Sequence, residues 1–322
     1  MIGIRGIAPF LQGTKTMVNS LPEVLQLTDD RLNYLQATGI ENVLIDAQYS
    51  AYDFAKAASE KVLAENGLSG TDLDLIIMIK SRLPEAFFSS EATRLQKDIG
   101  AESAMTYSLS DLGCADMSMA LKQASDFLIA NEWAEHVLIC YGCKPGAPSR
   151  YRHPVTVNGD GGLALLVGRL EEHQILDVEI KVDGAYWDLF KIDYQDKYFC
   201  DYKEELQDER RYGFELALES RNQFHALNQR ILERNDLSKE DIDHFLLQNI
   251  SNTAYQFYEM AYEIKIAPVC KDNLSQYGHL GPADILLNYY SGLTYGLFKK
   301  GDKVLLMNNS PVAAWSSILI EV

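Results

Sequence analysis

The stretch AMTYSLSDLGCADMSMALKQASDFL, residues 104–128, places a cysteine at the junction of two predicted elements. A strand precedes Cys114, and the residues after it are apolar at intervals of three and four, which predicts an amphipathic helix. Its apolar face is formed by Met117, Ala120, Leu121, Ala124, Phe127 and Leu128. Cys114 therefore lies directly before a predicted helix N-terminus.

Strands alternate with helices on both sides of this stretch. The run LDLIIMI (73–79) is continuously apolar, which favours a strand buried on both faces. A helix over 89–100 follows it, and HVLICYG (136–142) and LALLVGRL (163–170) are further buried strands. The glycine-rich run NGDGG (158–162) directly precedes the second of these strands, whereas a phosphate-binding loop precedes a helix. We therefore interpret it as a turn and not as a phosphate loop.

The second half of the chain repeats this alternation. Its predicted elements are a helix at about 213–234, a strand at 241–249, helices at 251–263 and 284–298, and closing strands at 303–309 and 313–322. Two similar halves indicate an internal duplication, so we expect a layered α/β fold with halves 1–170 and 171–322.

Composition and charge exclude several classes of protein. The 322 residues include 46 acidic and 29 basic side chains, a formal net charge of −17, which excludes a basic nucleic-acid-binding surface and disfavours docking on anionic lipid. No run of roughly 18 apolar residues is present, and the start MIGIRGIAPF lacks the pattern of a signal peptide. We therefore expect a cytoplasmic protein that binds neither membrane nor nucleic acid.

The other cysteines give no disulfide or metal pattern. Cys140 and Cys143 form a CxxC pair, but no second pair or His pair follows at the spacing that zinc requires. We interpret them as buried thiols at a strand end, and we expect no metal.

The segment at about 186–212 is rich in aromatic and acidic residues, and it does not form a regular amphipathic pattern. It fits two interpretations equally well: a packed surface loop, or a cap over an apolar ligand.

The position of Cys114 also allows two interpretations. The free N–H groups at a helix start favour negative charge, so a thiolate there would be a nucleophile, and the small neighbours Gly113 and Ala115 leave room for a substrate. The alternative is an inert buried thiol.

In order and spacing, nearly the whole chain resembles the thiolase superfamily, and most of all ketoacyl-acyl carrier protein synthase III. The resemblance is carried by the turn LGCA (112–115), the run NGDGG with the strand after it, the segment NLSQYGHLGPADILL (273–287), and the closing strands with their tryptophan. It implies a thiolase-like fold, with two duplicated βαβ halves in α-β-α-β-α layers. It also implies that Cys114 is the nucleophile, and that Phe87 reaches across a dimer into the partner's acyl pocket.

The family's histidine and asparagine are both replaced. The resemblance puts Gln248 at the histidine position and His279 at the asparagine position. Gln248 can donate a hydrogen bond but cannot exchange a proton near pH 7, whereas His279 can. The predicted catalytic set is therefore Cys114, Gln248 and His279. A shifted alignment would instead place His244 in the site.

The family's second oxyanion donor is a backbone N–H of a turn near the C-terminus. That turn is Ser310-Pro311-Val312 here, and proline has no N–H. We expect Ser310 or Val312 to supply the group and to contact the substrate. If Pro311 occupies the donor position, the hydrogen bond is lost.

The resemblance implies an acyl group carried by coenzyme A or by the phosphopantetheine arm of an acyl carrier protein, with no other cofactor, and a homodimer or a heterodimer with a paralogue. Three functions remain open. The first is acyl transfer through Cys114 to a hydroxyl, amine or carbon nucleophile, in specialised polyketide or fatty-acid-related biosynthesis. The second is carbon–carbon bond formation by a ketoacyl synthase. The third is the role of a weakly catalytic subunit that supports an active paralogue. Because acyl carrier proteins are acidic, docking would need a local basic cluster, either Lys144, Arg150 and Arg152, or Arg210 and Arg211.

Overall fold

The computed structural model of the chain describes residues 1–81, 83–86, 88–170, 172–312 and 314–322. The strands are β1 (Ile2–Phe10), β2 (Thr14–Met17), β3 (Asn42–Ile45), β4 (Leu75–Ile79), β5 (Met105–Leu109), β6 (His136–Cys143), β7 (Tyr151–Arg152), β8 (Thr156–Val157), β9 (Gly161–Arg169), β10 (Gln174–Val182), β11 (Phe190–Lys191), β12 (Glu205–Leu206), β13 (His244–Leu247), β14 (Lys303–Ser310) and β15 (Ala314–Glu321). The helices are α1 (Asp29–Ala37), α2 (Ala51–Glu65), α3 (Glu91–Asp98), α4 (Asp116–Ala130), α5 (Ala217–Arg234), α6 (Asn252–Tyr262), α7 (Pro268–Tyr277) and α8 (Asp284–Thr294).

The predicted elements are present with small shifts at their ends. The helix predicted over 89–100 is α3, whose N-cap Ser90 accepts a hydrogen bond from the backbone of Thr93. The helix predicted at about 213–234 begins as a π-helical stretch, Arg211–Leu216, and becomes α-helical only in α5. The strand predicted over 241–249 is shorter, because a 3₁₀ turn extends to Asp241 before β13 begins.

The strand order repeats in the two halves of the chain. A nine-stranded sheet runs in the order β13-β14-β15-β10-β1-β9-β6-β4-β5. The first half contributes five strands to this sheet, which in chain order are β1, β4, β5, β6 and β9. Side by side they lie in the order third, second, fourth, fifth, first. The second half has the same order, with Ile266, bridged in parallel to Phe245, in place of its third strand. In both halves the second and fourth strands are parallel, and the fifth is antiparallel to its neighbours. The predicted duplication is confirmed.

The two half-sheets are joined edge to edge, which the sequence did not predict. The junction is the antiparallel pairing of β1 with β10, where Gly3 lies opposite Gln174. The predicted division at residue 170 falls between the end of β9 and the start of β10, and as a domain boundary it stays a prediction.

Helices pack on both faces of each half-sheet, as in the α-β-α-β-α layering expected from the resemblance. Along β4, Leu75, Ile77 and Ile79 belong to the central core, whereas Ile76 and Met78 belong to an outer core shared with α2 and α3. In the central layer, α4 contacts strands of both halves, and so does α8. Helix α5 covers the outer face of the second half-sheet. The continuously apolar strand therefore is buried on both faces, as predicted.

Helix α2 approaches the first half-sheet closely enough that one position requires glycine. A Cβ atom at Gly142 in β6 would lie 1.7 Å from the carbonyl oxygen of Ala51, the first residue of α2. That end of the helix is fixed by a capping box between Ser50 and Asp53. Because the atoms that a Cβ atom would meet belong to the backbone of α2, this contact sets how closely α2 and β6 approach each other.

We predict that Gly142→Ala lowers the free energy of unfolding by about 2–3 kcal/mol, because the added methyl group must displace backbone and not a flexible side chain. The measurement is urea denaturation followed by circular dichroism. Gly184→Ala is the matched control, since a Cβ atom there meets nothing within 4 Å. Equal unfolding midpoints for the two variants would contradict the close packing of α2.

Candidate active site

Three of the predicted site residues line one small cavity in the middle of the molecule. Cys114, Gln248 and His279 surround a space of about 30 Å³, and Pro311 forms part of the same wall. All three predicted residues are almost completely buried. His244 is not in this cavity, because its Nε2 pairs with Asp302 at 3.1 Å. Phe87 lies outside the described residues.

Cys114 sits in a 3₁₀ turn, Gly113–Ala115, that runs directly into α4. Gly113 has a φ of +59°, and a Cβ atom there would lie 2.4 Å from the hydroxyl of Ser310. Glycine is therefore required for both conformation and space. The carbonyl of Cys114 accepts a hydrogen bond from Asn308 Nδ2 at 2.5 Å, which fixes the turn against β14. These contacts hold the sulfur at the start of the central helix.

His279 links Cys114 to a carboxylate. Its Nε2 lies 3.4 Å from Cys114 Sγ, and its Nδ1 lies 2.6 Å from Asp284 Oδ2. The histidine backbone is held on both sides, since its N–H donates to Val157 and its carbonyl accepts from Gly159. The run 158–162 therefore acts as a turn that positions His279. The three side chains form a Cys–His–Asp relay.

Asp284 is completely buried, yet it is well supplied with donors. Besides His279, its oxygens accept backbone hydrogen bonds from Leu280 at 2.7 Å and Asn249 at 3.1 Å. Two of these donors are peptide N–H groups, which cannot reverse their direction, so the carboxylate form is the one that the site satisfies. Asp284 therefore is a charged acceptor for the imidazole.

A chain of buried amides supports this relay. Asn249 Nδ2 donates to the carbonyl of Gly278, directly before His279. Asn288 Nδ2 donates to Asn249 Oδ1 at 3.0 Å, and Asn273 Nδ2 donates to Asn288 Oδ1 at 2.8 Å. These bonds connect the end of β13 with α7 and α8. The position of His279 is thus fixed by three separate elements.

The surroundings of His279 shift its titration strongly. Burial by itself lowers the pKa of His279, but the Asp284 carboxylate and the Cys114 sulfur outweigh it and raise that pKa to about 9. At neutral pH the imidazolium is therefore the form that the resting site stabilises.

Gln248 lines the cavity, but its amide is engaged by the backbone. Nε2 donates to the carbonyl of Asn309 at 2.6 Å, and Oε1 accepts from the N–H of the same residue at 2.5 Å. This two-point contact ties the end of β13 to β14. One Nε2 hydrogen remains for another acceptor, because a primary amide has two.

The turn after β14 brings Ser310 and Val312 against Gly113, as the close approach of their side chains to that glycine indicates. Pro311 lines the cavity and has no N–H to offer. The N–H of Val312 points to Ser310 Oγ at 3.4 Å, within its own turn. Donation by Ser310 or Val312 to a substrate stays a prediction.

A second cavity adjoins the one that Cys114 lines. It has a volume of about 530 Å³ and shares the lining residues Val155, Tyr212, Leu216, Ile250 and Asn309 with the smaller one. The two cavities are therefore directly adjacent to each other.

Comparisons with known proteins agree with this architecture. Residues 232–322 match the family described as 3-oxoacyl-[acyl-carrier-protein (ACP)] synthase III C terminal. The chain is 26% identical over 325 residues to beta-ketoacyl-[acyl-carrier-protein] synthase III 1 of Bacillus cereus, covering 99% of this chain and 98% of the relative. Over its full length the chain is thus similar to ketoacyl synthase III of the thiolase superfamily, and it is an enzyme of the acyl-transferring or condensing class.

Solved structures share the fold of this ketoacyl synthase III-like protein over its full length. The 3-oxoacyl-[acyl-carrier-protein] synthase III of Aquifex aeolicus superimposes with a TM-score of 0.83 at 22% identity, covering 100% of both chains. OleA from Xanthomonas campestris gives a TM-score of 0.81 at 18% identity, covering 100% of this chain and 98% of that one. The predicted thiolase-like fold is confirmed.

Asp284 was missed in the sequence, although a signal was present. It is the only acid in the predicted helix 284–298 and stands at its first position, five residues after His279. An acid that opens a buried apolar helix needs a partner, and a histidine one turn earlier is a candidate. The supporting asparagines gave no comparable signal, because their partners are distant in the sequence.

One proposed docking cluster is wrong. Lys144 and Arg150 both pair with the buried carboxylate of Asp160, and Arg152 pairs with Glu204. These cations compensate internal charges and do not form a free basic surface. Arg211 is engaged with Asp188, which leaves Arg210 as the exposed member of the other cluster.

The CxxC pair lies within a strand. Cys140 and Cys143 are buried in β6, and burial raises the pKa of Cys140 to about 12, so its thiol is inert.

The aromatic segment at about 186–212 is partly buried. Phe190 is buried in a hairpin and Tyr212 lines the cavity of Cys114, whereas Trp187 is exposed. The segment therefore combines a packed loop with a wall of the site, and its role as a cap stays a prediction.

Two negative observations apply to the part of the chain that the structure describes. No cluster of three or more His, Cys, Asp or Glu side chains there is arranged to hold a metal ion. None of the described helices combines the length and the apolar character that crossing a membrane requires.

We predict that Asp284→Asn lowers the pKa of His279 from about 9 towards its ordinary value of 6.5, because the neighbouring negative charge is removed while burial remains. NMR titration of the imidazole signals measures it, with the His279 signal identified by its loss in His279→Gln. Asp302→Asn, in the partly exposed pair with His244, is the control and should leave His279 unchanged.

The same shift makes the stability depend on pH. Since the folded-state pKa of His279 lies above the unfolded value, its contribution is complete below pH 6.5 and is lost as the pH rises to about 9. Asp284→Asn should therefore lose stability less steeply over this interval than the wild type does. An identical decline in both proteins would count against a charged His279–Asp284 pair.

Proposed function

We propose that this ketoacyl synthase III-like protein transfers an acyl group from a thioester to a hydroxyl or amine acceptor by way of Cys114. The observation that carries the proposal is the relay from Cys114 through His279 to Asp284, with distances of 3.4 and 2.6 Å. A nucleophile, a base within reach and a third group that orients the base are the parts that covalent acyl transfer requires.

In the first step the Cys114 sulfur attacks the carbonyl carbon of the donor thioester. The sulfur attacks as a thiolate whose proton His279 already holds as the imidazolium, the bond between the carbonyl carbon and the donor sulfur breaks, and the leaving thiolate takes the proton from His279, which becomes neutral. Asp284 remains ionised and stabilises the imidazolium through Nδ1. The acyl group is then a thioester of Cys114.

In the second step the acceptor's hydroxyl or amine attacks the Cys114 thioester. Its proton moves to His279, and the Cys114 sulfur leaves and recovers a proton from the imidazolium. The Cys114 sulfur is one of the groups that raise the pKa of His279, and this contribution ends when the sulfur is acylated. Acylation therefore lowers the pKa of His279 and increases the share of neutral imidazole, the form that can accept a proton, at the stage where a base is needed.

The arrangement supports transfer better than decarboxylative condensation. The family's condensing chemistry uses two hydrogen-bond donors on a malonyl thioester oxygen. Here the amide of Gln248 is held by the backbone of Asn309, and His279 is tied to a carboxylate that equips it as a base. Condensation is the second candidate, since the curated relative is named a ketoacyl synthase.

We infer that the donor is coenzyme A or the phosphopantetheine arm of an acyl carrier protein, entering through the 530 Å³ cavity. An acidic carrier would meet a chain of net charge −17 whose Lys144, Arg150 and Arg152 are already paired, so coenzyme A thioesters are the better-suited donors. We further infer a dimer, as in the family the chain resembles. Light scattering after size-exclusion chromatography tests it.

We predict that the wild type gains the mass of one acyl group when it is incubated with a panel of acyl-coenzyme A donors, and that Cys114→Ala does not. Intact-protein mass spectrometry gives the answer directly. Absence of an adduct with every donor would refute both transfer and condensation. An adduct followed by carbon dioxide release from malonyl donors would favour condensation over transfer.

We predict that His279→Ala still allows acylation of Cys114, because a thiolate leaving group departs without a general acid, but slows onward transfer by about 10²–10⁴-fold, because general base catalysis of the acceptor's attack is removed. The measurement follows decay of the acyl-enzyme mass after an amine or alcohol acceptor is added. His244→Ala, which removes a histidine outside the cavity, is the matched control. Normal turnover by His279→Ala would show that the base is another group.

A further inference from the structure

Two polar side chains of the cavity around Cys114, Arg152 and Thr156, have buried hydrogen-bond donors that meet no acceptor among the residues that the structure describes. Arg152 is only 6% exposed, and its Nε and Nη1 have no hydrogen-bond partner in the described part of the chain. Thr156 is completely buried, and its hydroxyl also lacks a partner among the described residues. Both residues line the space that Cys114 and His279 line.

The pairing of β7 with β8 places these two side chains on the same side of the cavity. Arg152 and Thr156 are directly opposite each other in the antiparallel pair of β7 and β8. Opposite residues of such a pair project from the same face. The guanidinium and the hydroxyl are therefore neighbouring donors on one wall, and the hairpin fixes their spacing.

Arg152 is held in place from its other sides. Nη2 pairs with Glu204, and the guanidinium carbon lies 5.4 Å from the centre of the Phe190 ring. Of the five N–H groups of an arginine, the one on Nε and the two on Nη1 remain without an acceptor within the ranges that the structure describes. Unpaired buried donors of this kind destabilise a protein unless a ligand supplies the acceptor.

We propose that Arg152 and Thr156 bind a carboxylate carried by the acyl group itself, so that the donor is the thioester of a short dicarboxylic acid. A guanidinium matches a carboxylate in charge and in geometry, whereas an alkyl chain would leave its donors unpaired. The cavity of about 30 Å³ leaves room for only a few atoms beyond the sulfur, which limits the acyl chain to a short one. This inference rests on the proposed acyl transfer through Cys114, because it names the donor of that reaction.

The test compares three coenzyme A thioesters whose acyl groups have equal numbers of non-hydrogen atoms. Malonyl ends in a carboxylate, acetoacetyl in a neutral ketone and isovaleryl in two methyl groups. Isothermal titration calorimetry on Cys114→Ala measures their dissociation constants without any acyl transfer, and mass spectrometry of the recovered ligands confirms that they are intact. We expect malonyl-coenzyme A to bind about 10- to 100-fold more tightly than isovaleryl-coenzyme A, the range of a buried charge-assisted hydrogen bond.

Variants in the same background assign the preference to these residues. Adding Arg152→Gln should bring the ratio of malonyl to isovaleryl affinities close to one, and Thr156→Val should reduce that ratio in part. Arg210→Gln is the matched control, because Arg210 is exposed and lies outside the cavity, and it should keep the preference. If Arg152→Gln does not fold, Thr156→Val alone decides, since valine has nearly the shape of threonine and removes only the hydroxyl.

Each outcome bears on one proposal. Equal binding of malonyl- and isovaleryl-coenzyme A, or equal binding of malonyl- and acetoacetyl-coenzyme A, would overturn carboxylate recognition. A preference for malonyl that survives both Arg152→Gln and Thr156→Val would also overturn it. A preference that depends on Arg152 in a protein whose Cys114 is never acylated would leave this binding site standing and refute the proposed transfer.

Discussion

The buried carboxylate of Asp284 is the group around which the centre of this protein is organised. A charge removed from water is tolerated only when donors surround it, and here the donors come from His279, from Leu280 and from the backbone at the end of β13. These bonds fix the loop that carries His279 and Leu280, and the end of β13, relative to α8. The same bonds that make the charge acceptable therefore also set the position and the protonation of the imidazole, so stability and chemistry depend on one interaction.

The duplicated topology explains why this interaction lies beside Cys114. In each half a helix of the central layer follows the strand at the sheet edge, and both helices begin with a short 3₁₀ turn, Gly113–Ala115 in α4 and Gly281–Ala283 in α8. These two turns contact each other at the middle of the molecule. One turn carries the cysteine, and the other follows the histidine directly. A pseudo-symmetric fold thus brings together groups that are 165 positions apart.

The charge of the chain is distributed in a way that its sum does not reveal. The net value of −17 describes a surface poor in free cations, yet several cations are used inside, where Arg150 and Lys144 compensate Asp160 and Arg152 faces Glu204. An interior cation with a single carboxylate partner differs from a surface patch. It keeps directional donors for a ligand that enters the cavity, whereas a patch acts over a longer range and is screened by salt. The electrostatics of recognition in this protein are therefore local.

The sequence by itself determined the alternation of strands and helices, the duplication and the place of Cys114 at a helix start, because these follow from local periodicity and from composition. It also singled out His279 and Gln248, through the order of motifs along the chain. It did not reveal the hydrogen bond between His279 and Asp284, the hydrogen bonds between Gln248 and Asn309, or the burial of Arg152. Asp284 was nevertheless recognisable as the single acid at the start of an apolar helix. Those features were decided by the tertiary structure alone, since hydrogen bonds between distant segments and the desolvation of a charge exist only once the layers have packed.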